Sequence, residues 1–249
     1  MSIHIAIAAS KGGTGKTTTT WNLGFGLTFA GARVLLVDFD PQDNLRFIAG
    51  ADHMRGTVAS AIERGTFNGT RIREGLSILP SGGRRLWRAT VSASGLGYIT
   101  APLRHAIAAK QSEYDFILFD CPPELGRMTS AALSLSDYLL VPCVSTWLGL
   151  RSIRQMIEFI DTHTRDARID GERTGIVMTF YTTRRAGPEM VRHEAKQLFR
   201  ERMFRTVIRE RTELDYSQEA HQSVFEYAPR SDGAEDYAAL AKEVIKRIG

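Results

Sequence analysis

The stretch Ser10-Lys11-Gly12-Gly13-Thr14-Gly15-Lys16-Thr17-Thr18 decides the fold. It closes as the phosphate-loop pattern G-x-x-x-x-G-K-[ST] does, on Gly15-Lys16-Thr17. It opens on Ser10-Lys11-Gly12-Gly13, with no glycine at the pattern's first position. An apolar, β-rich run from Ile3 to Ala9 precedes it, and a helix-compatible stretch from Thr17 to Ala30 follows. Glycines at 12, 13 and 15 let backbone N–H groups converge on phosphate oxygens, where a Cβ would crowd the ligand. The helix beginning near Lys16 points its positive end at the same phosphates. In such a loop Lys16 reaches the β- and γ-phosphates and the Thr17 hydroxyl ligates Mg²⁺. An incidental Gly-rich turn has no reason to sit between a strand and a helix in this order. Lys11 to Thr18 are therefore expected to bind a nucleotide.

Downstream, Arg33 to Asp38 predicts a strand buried on both faces, ended by Phe39-Asp40-Pro41. That leaves carboxylates at the carboxyl end of a strand, the edge where open α/β sheets bind ligands. Phe116-Ile117-Leu118-Phe119-Asp120 repeats the device, an apolar run ending in an acid, followed by Cys121-Pro122-Pro123. This resembles Walker B, in which the carboxylate holds the water shell of Mg²⁺. Further strands are expected at 76–80, 138–143, 175–179 and 203–208, and helices at 57–64, 99–110, 131–136, 148–163, 189–202 and 236–248. Residues 45–75 carry little pattern apart from that first short helix. The basic segment Gly82 to Arg88 is read as a solvated loop anchored by Trp87, with nucleic-acid contact as the other reading. Leu150, Ile153, Ile157 and Ile160 are assigned to the core, as are Tyr237, Leu240, Ala241, Val244 and Ile248 of the closing helix. Strands alternating with helices predict an α/β fold, a mostly parallel twisted sheet with helices on both faces.

A chain of 249 residues, 43% hydrophobic and 24% charged, fits one globular domain spanning 1–249. No apolar run approaches the length of a membrane span, and the N-terminus lacks a signal-peptide pattern. Cys121 and Cys143 lie in or beside apolar runs and are read as buried thiols of a reducing, cytoplasmic protein. The net charge of +4 is uneven, with 14 Lys+Arg against 9 Asp+Glu between Arg151 and Arg211. That segment is either a polyanion-binding face or a solvated, ion-paired one.

With Lys11 added to the loop, the sequence resembles the deviant Walker A motif of the ParA/MinD family. The resemblance extends over V-D-F-D-P-Q at 37–42 with Asn44, F-D-C-P-P at 119–123, and Tyr227 to Ala234. It is closest to small ParA-type partition ATPases. What it implies is a P-loop ATPase needing ATP and Mg²⁺, dimerising around two nucleotides with Lys11 reaching the partner's. It further implies that Asp40 positions the attacking water and that Thr17, with Asp120 through water, serves the metal, so that Lys11, Lys16 and Asp40 form the catalytic set. Arg200 and Arg230 fall where members bind DNA without sequence preference, implying a nucleoid-associated protein. Its partner would be a ParB-like or other cargo adaptor, and its cargo a plasmid or chromosome. A ParA-like positioner of a protein assembly or organelle is the alternative. A MinD-like membrane regulator ranks lower for want of a detachable amphipathic tail, and a cluster-bridged reductase for want of suitably placed cysteines. Two departures stand out. Where members carry Ile-Pro this chain has Ile208-Arg209, and Tyr216-Ser217-Gln218-Glu219 replaces Ser-Glu-Ala-Pro, which leaves the adenine contacts unassigned.

Overall fold

The computed structural model describes residues 2–50, 56–163, 169, 172–182 and 186–249. Eight strands form one sheet: β1 (Ile3–Ile7), β2 (Val34–Asp38), β3 (Thr70–Arg73), β4 (Leu76–Leu79), β5 (Phe116–Asp120), β6 (Tyr138–Val144), β7 (Thr174–Tyr181) and β8 (Met203–Arg209). Their spatial order is β3-β4-β2-β5-β1-β6-β7-β8, and every pairing is parallel except β3 with β4. The helices are α1 (Lys16–Phe29), α2 (Asn44–Ile48), α3 (Val58–Arg64), α4 (Arg84–Ser92), α5 (Gly97–Ala108), α6 (Arg127–Leu135), α7 (Trp147–His163), α8 (Ala186–Phe199), α9 (Thr212–Glu219), α10 (Val224–Tyr227) and α11 (Asp232–Ile248).

Central strands are largely apolar because both faces are covered. On β2 and β5, Leu35, Val37, Ile117 and Phe119 enter the core beneath α3 to α8. Val34, Leu36, Phe116 and Leu118 enter the other core, with α1 and α11. The period-two alternation of a strand thus fills two layers from one sequence. Within α1, Gly24 and Gly26 set the spacing of the second layer. A Cβ on Gly24 would stand 2.8 Å from Leu36 Cδ2, and one on Gly26 would stand 2.9 Å from Ala241 Cβ. Glycine inside a helix costs about 1 kcal/mol, and here it lets α1 lie close to both the sheet and α11.

The chain leaves β1 toward one edge of the sheet and, after β5, leaves toward the other. That reversal opens a crevice at the carboxyl ends of β5 and β1, where such sheets hold ligands.

The expected core positions on the two long helices are buried or packed against the core. The apolar face of α11 is used against α1 and β8, so it is a docked helix and not a free amphipathic one. The segment 82–88 departs from expectation, being the start of α4. Its buried residue is Leu86 while Trp87 is 58% exposed, so Leu86 and not the tryptophan anchors the segment. Arg127 holds the far end of α4 through the carbonyls of Thr90 and Ala93, a contact invisible to local pattern. Helices α2, α9 and α10 and strand β3 were also beyond the pattern. Among the described residues no helix is long and apolar enough to cross a membrane.

Candidate nucleotide site

The loop between β1 and α1 is fixed by backbone handedness. Gly13 and Gly15 hold φ of +69° and +83°, which glycine adopts without strain. Gly15 is the residue at which the backbone enters α1, so the first N–H groups of that helix face the loop. Lys16 is buried at 7% exposure, and its Nζ donates to the carbonyl of Lys11 at 3.2 Å. Burial lowers the Lys16 pKa, and attraction to Asp120 opposes that shift. The side chain of Lys11 is exposed. The two lysines therefore differ in kind, one folded into its own loop and the other open to solvent.

Asp38 and Asp120 end β2 and β5 side by side in register, both fully buried. Thr17 Oγ1 donates to Asp120 Oδ2 at 2.7 Å, and Thr20 Oγ1 donates toward Oδ1 at 3.2 Å. Burial raises the Asp120 pKa to about 7, against the hydrogen bond from Thr17 and the charge of Lys16. Burial, and then the neighbouring Asp120, raise Asp38 well above the usual carboxylate range. Asp38 also accepts from the N–H of Asp40 at 2.8 Å and of Leu45 at 3.2 Å, so it holds the turn that carries Asp40. Asp40 is buried, and its Oδ1 accepts from the Gln42 N–H at 2.9 Å.

Asp40 and Asp120 face one buried lysine, with Asp38 beside Asp120, a deficit of positive charge that suits a divalent cation. No group of three or more His, Cys, Asp or Glu among the described residues could hold a metal by itself. A hydroxyl, one or two carboxylates and ligand phosphates are the usual donors for Mg²⁺, and this set fits it. Cys121 and Cys143 are free and buried, as expected.

Sequence reasoning thus assembled Lys16, Thr17, Asp40 and Asp120 at one place. It gave no role to Asp38, although Val34-Leu35-Leu36-Val37-Asp38 shows the same apolar-run-then-acid signal that singled out Asp120. Thr20 was also missed, one turn after Thr17 on the same helix face.

The departure at Arg209 has a structural reason. Its N–H donates to Asp236 Oδ2 at 2.8 Å, a bond that proline could not make. Its guanidinium pairs with Asp236, Glu235 and Asp232 and ties the end of β8 to α11. Arg211 pairs with Asp232. By contrast, no ion pair between described residues involves Arg200, Arg202, Arg205 or Arg230. The arginines at 165, 168, 184 and 185 lie outside the described residues.

Arg200 and Arg230 are both exposed and are not brought together. Arg230 precedes the first turn of α11. Arg200 lies by its last turn, where Arg247 Nη1 donates to the Glu201 carbonyl at 3.0 Å. The 17 residues of α11 separate them by about 25 Å.

A protein-family model described as an AAA domain matches residues 2–170. The sporulation initiation inhibitor protein Soj of Bacillus subtilis is 33% identical over 254 residues, covering 96% of this chain and 97% of that protein. The chromosome partitioning protein ParA of Myxococcus xanthus is 31% identical, covering 98% of this chain and 88% of that one. Among solved structures, apo McdA of Cyanthece shares the fold at a TM-score of 0.83 and 20% identity, covering 98% of this chain and 100% of that one. The septum site-determining protein MinD of Pyrococcus horikoshii, complexed with Mg-ADP, gives 0.76 at 25% identity, covering 100% of this chain and 98% of that one. A deviant phosphate loop with its second lysine, two acid-ended strands beside it, and relatives matched end to end lead to one statement: the chain belongs to the ParA/MinD family of deviant Walker A ATPases.

Proposed function

We propose that this protein is the ATPase of a ParA-like positioning system, dimerising around two ATP molecules and holding DNA without sequence preference in that state. A ParB-like or other cargo adaptor stimulates hydrolysis and releases it, so that a plasmid or chromosome cargo is partitioned along the nucleoid. The observation that carries the dimer is the contrast between the lysines. Lys16 is buried in its own loop, whereas Lys11 is exposed beside it and free to meet a nucleotide held by a second subunit.

The reaction is phosphoryl transfer to water, where catalysis is mostly positioning and charge compensation. Gly12 to Thr18 cradle the phosphates, and Lys16 neutralises them from within the loop. Thr17, with Asp120 through water, would hold Mg²⁺, which would compensate charge on the transferred group. Asp38 fixes the turn through Asp40 N–H and Leu45 N–H, and Asp40 orients the attacking water. Arg200, Arg202 and Arg205, which make no ion pair with other described residues, support the DNA reading at one end of α11, and Arg230 supports it at the other. Dimerisation doubles every such contact, which makes DNA affinity depend on ATP.

Lys16→Ala should abolish ATP binding. Lys11→Ala should bind ATP with Mg²⁺ yet remain monomeric by light scattering. Wild-type dimerisation of Lys11→Ala would overturn the cross-subunit role.

A further inference from the structure

Phe180 is the irregular residue of β7. The other seven positions of that strand are buried, while Phe180 is 39% exposed. Its φ is +50°, a left-handed conformation that bulky side chains rarely adopt. It lies where the pairing of β7 with β8 shifts register, between Met178 and Tyr181. Such strain persists only when the surroundings impose it. Here Thr179 Oγ1 donates to the Thr14 carbonyl at 2.9 Å, and Ser145 Oγ donates to the Phe180 carbonyl at 3.2 Å.

The consequence is directional. The ring leaves the strand's alternation and lies over the phosphate loop, its Cε2 3.5 Å from where a Cβ on Gly15 would stand. It forms one wall of a cleft that runs from Gly15 and Thr18 to Ile208, Leu214 and Tyr237. The sheet order places this cleft on the β7–β8 side of the loop, whereas Asp38 and Asp120 lie on the β2–β5 side. A nucleotide whose phosphates sit in the loop, with its metal end toward the acids, has its base toward Phe180. An aromatic face offers a phosphate nothing, since its π cloud is negative, but it stacks well on a planar heteroaromatic ring.

We propose that Phe180 is the platform on which the purine base of the nucleotide stacks, aimed at the cleft by its left-handed backbone. The assignment rests on the nucleotide-binding role of the loop and supplies the base contact that Ile208-Arg209 left open. Arg209 is held by α11 and serves as scaffold there.

Isothermal calorimetry on the full chain with Mg²⁺ separates base from phosphate affinity, using ADP and inorganic tripolyphosphate as probes. Phe180→Ala should weaken ADP binding by about tenfold or more and leave tripolyphosphate within about twofold of wild type. Phe180→Trp should keep ADP affinity within about threefold. Phe180→Gly removes the ring while relieving the backbone, so it serves if the alanine variant folds poorly, and it should match the alanine result. Equal weakening of both probes would overturn the proposal, because the ring would then only prop the loop. Unchanged ADP affinity would overturn it as well. Wild-type protein that binds neither probe would remove the nucleotide role itself, a different failure from loss of the base contact alone.

Discussion

Asp38 and Asp120 occupy a position that few acidic side chains tolerate, buried side by side with Lys16 offsetting the charge of Asp120. Their folded pKa values lie above the ordinary 3.8, to about 7 for Asp120. A raised acid binds more protons folded than unfolded, so the ligand-free protein should lose stability as pH rises from about 4 to about 7. Each pKa unit is worth about 1.4 kcal/mol, and 1 kcal/mol moves the melting midpoint of a chain this size by about 2–4 °C. Melting curves of the ligand-free protein should therefore fall by several degrees across this window. Asp120→Asn, which cannot ionise, should show a distinctly flatter profile whatever its absolute midpoint. Parallel profiles for variant and wild type would mean that the carboxylate is not strained by its burial. Nucleotide with Mg²⁺ should remove much of the wild-type slope, because the cation favours the ionised acids.

At the level of elements, β8 is an exposed sheet edge that α11 closes with carboxylates. The register between β7 and β8 shifts after the pair Ile176 and Met203, leaving consecutive N–H groups unpaired in the ladder. Glu243 accepts both, from Arg205 at 2.8 Å and from Thr206 at 2.9 Å, and is itself held by Arg247 at 2.8 Å. Asp236 does the same for Arg209 farther along the strand. An edge with satisfied donors offers no template for a further strand. Glu243→Ala should cost about 2–3 kcal/mol by urea denaturation, since it orphans two N–H groups and removes the carboxylate paired with Arg247. It should also promote self-association at high concentration. A loss under about 0.5 kcal/mol would show that water replaces the carboxylate freely.

Across the whole molecule, the arginines assigned to DNA occupy two ends of α11 and not one patch. Sites that far apart with no shared partner should act additively. Arg200→Ala and Arg230→Ala should each weaken binding on every DNA sequence alike and flatten the salt dependence by about one unit of slope. The double variant should flatten it by about two. These titrations need ATP and confirmation that the dimer still forms. Unchanged affinity and slope in both dimeric variants would remove Arg200 and Arg230 from the DNA face.

The phosphate loop, the acid-ended strands and the parallel sheet were legible in the sequence because each is a local signal: a glycine spacing, an apolar run ending in an acid, a switch between periods of two and 3.6. The roles proposed for Lys16, Thr17 and Asp120 rest on those signals, and the structure brings the three together. What tertiary structure decided was everything that depends on a distant partner. Helix α4 exists where basic residues suggested a loop, because Leu86 is buried and Arg127 closes its end. Asp38 matters because β2 lies against β5, a neighbour more than seventy positions away along the chain. Arg209 and Arg211 are neutralised because the start of α11 presents Asp232, Glu235 and Asp236 to them, whereas no ion pair between described residues involves Arg200. Charge along a sequence is additive, but its pairing is set by which elements the fold places side by side.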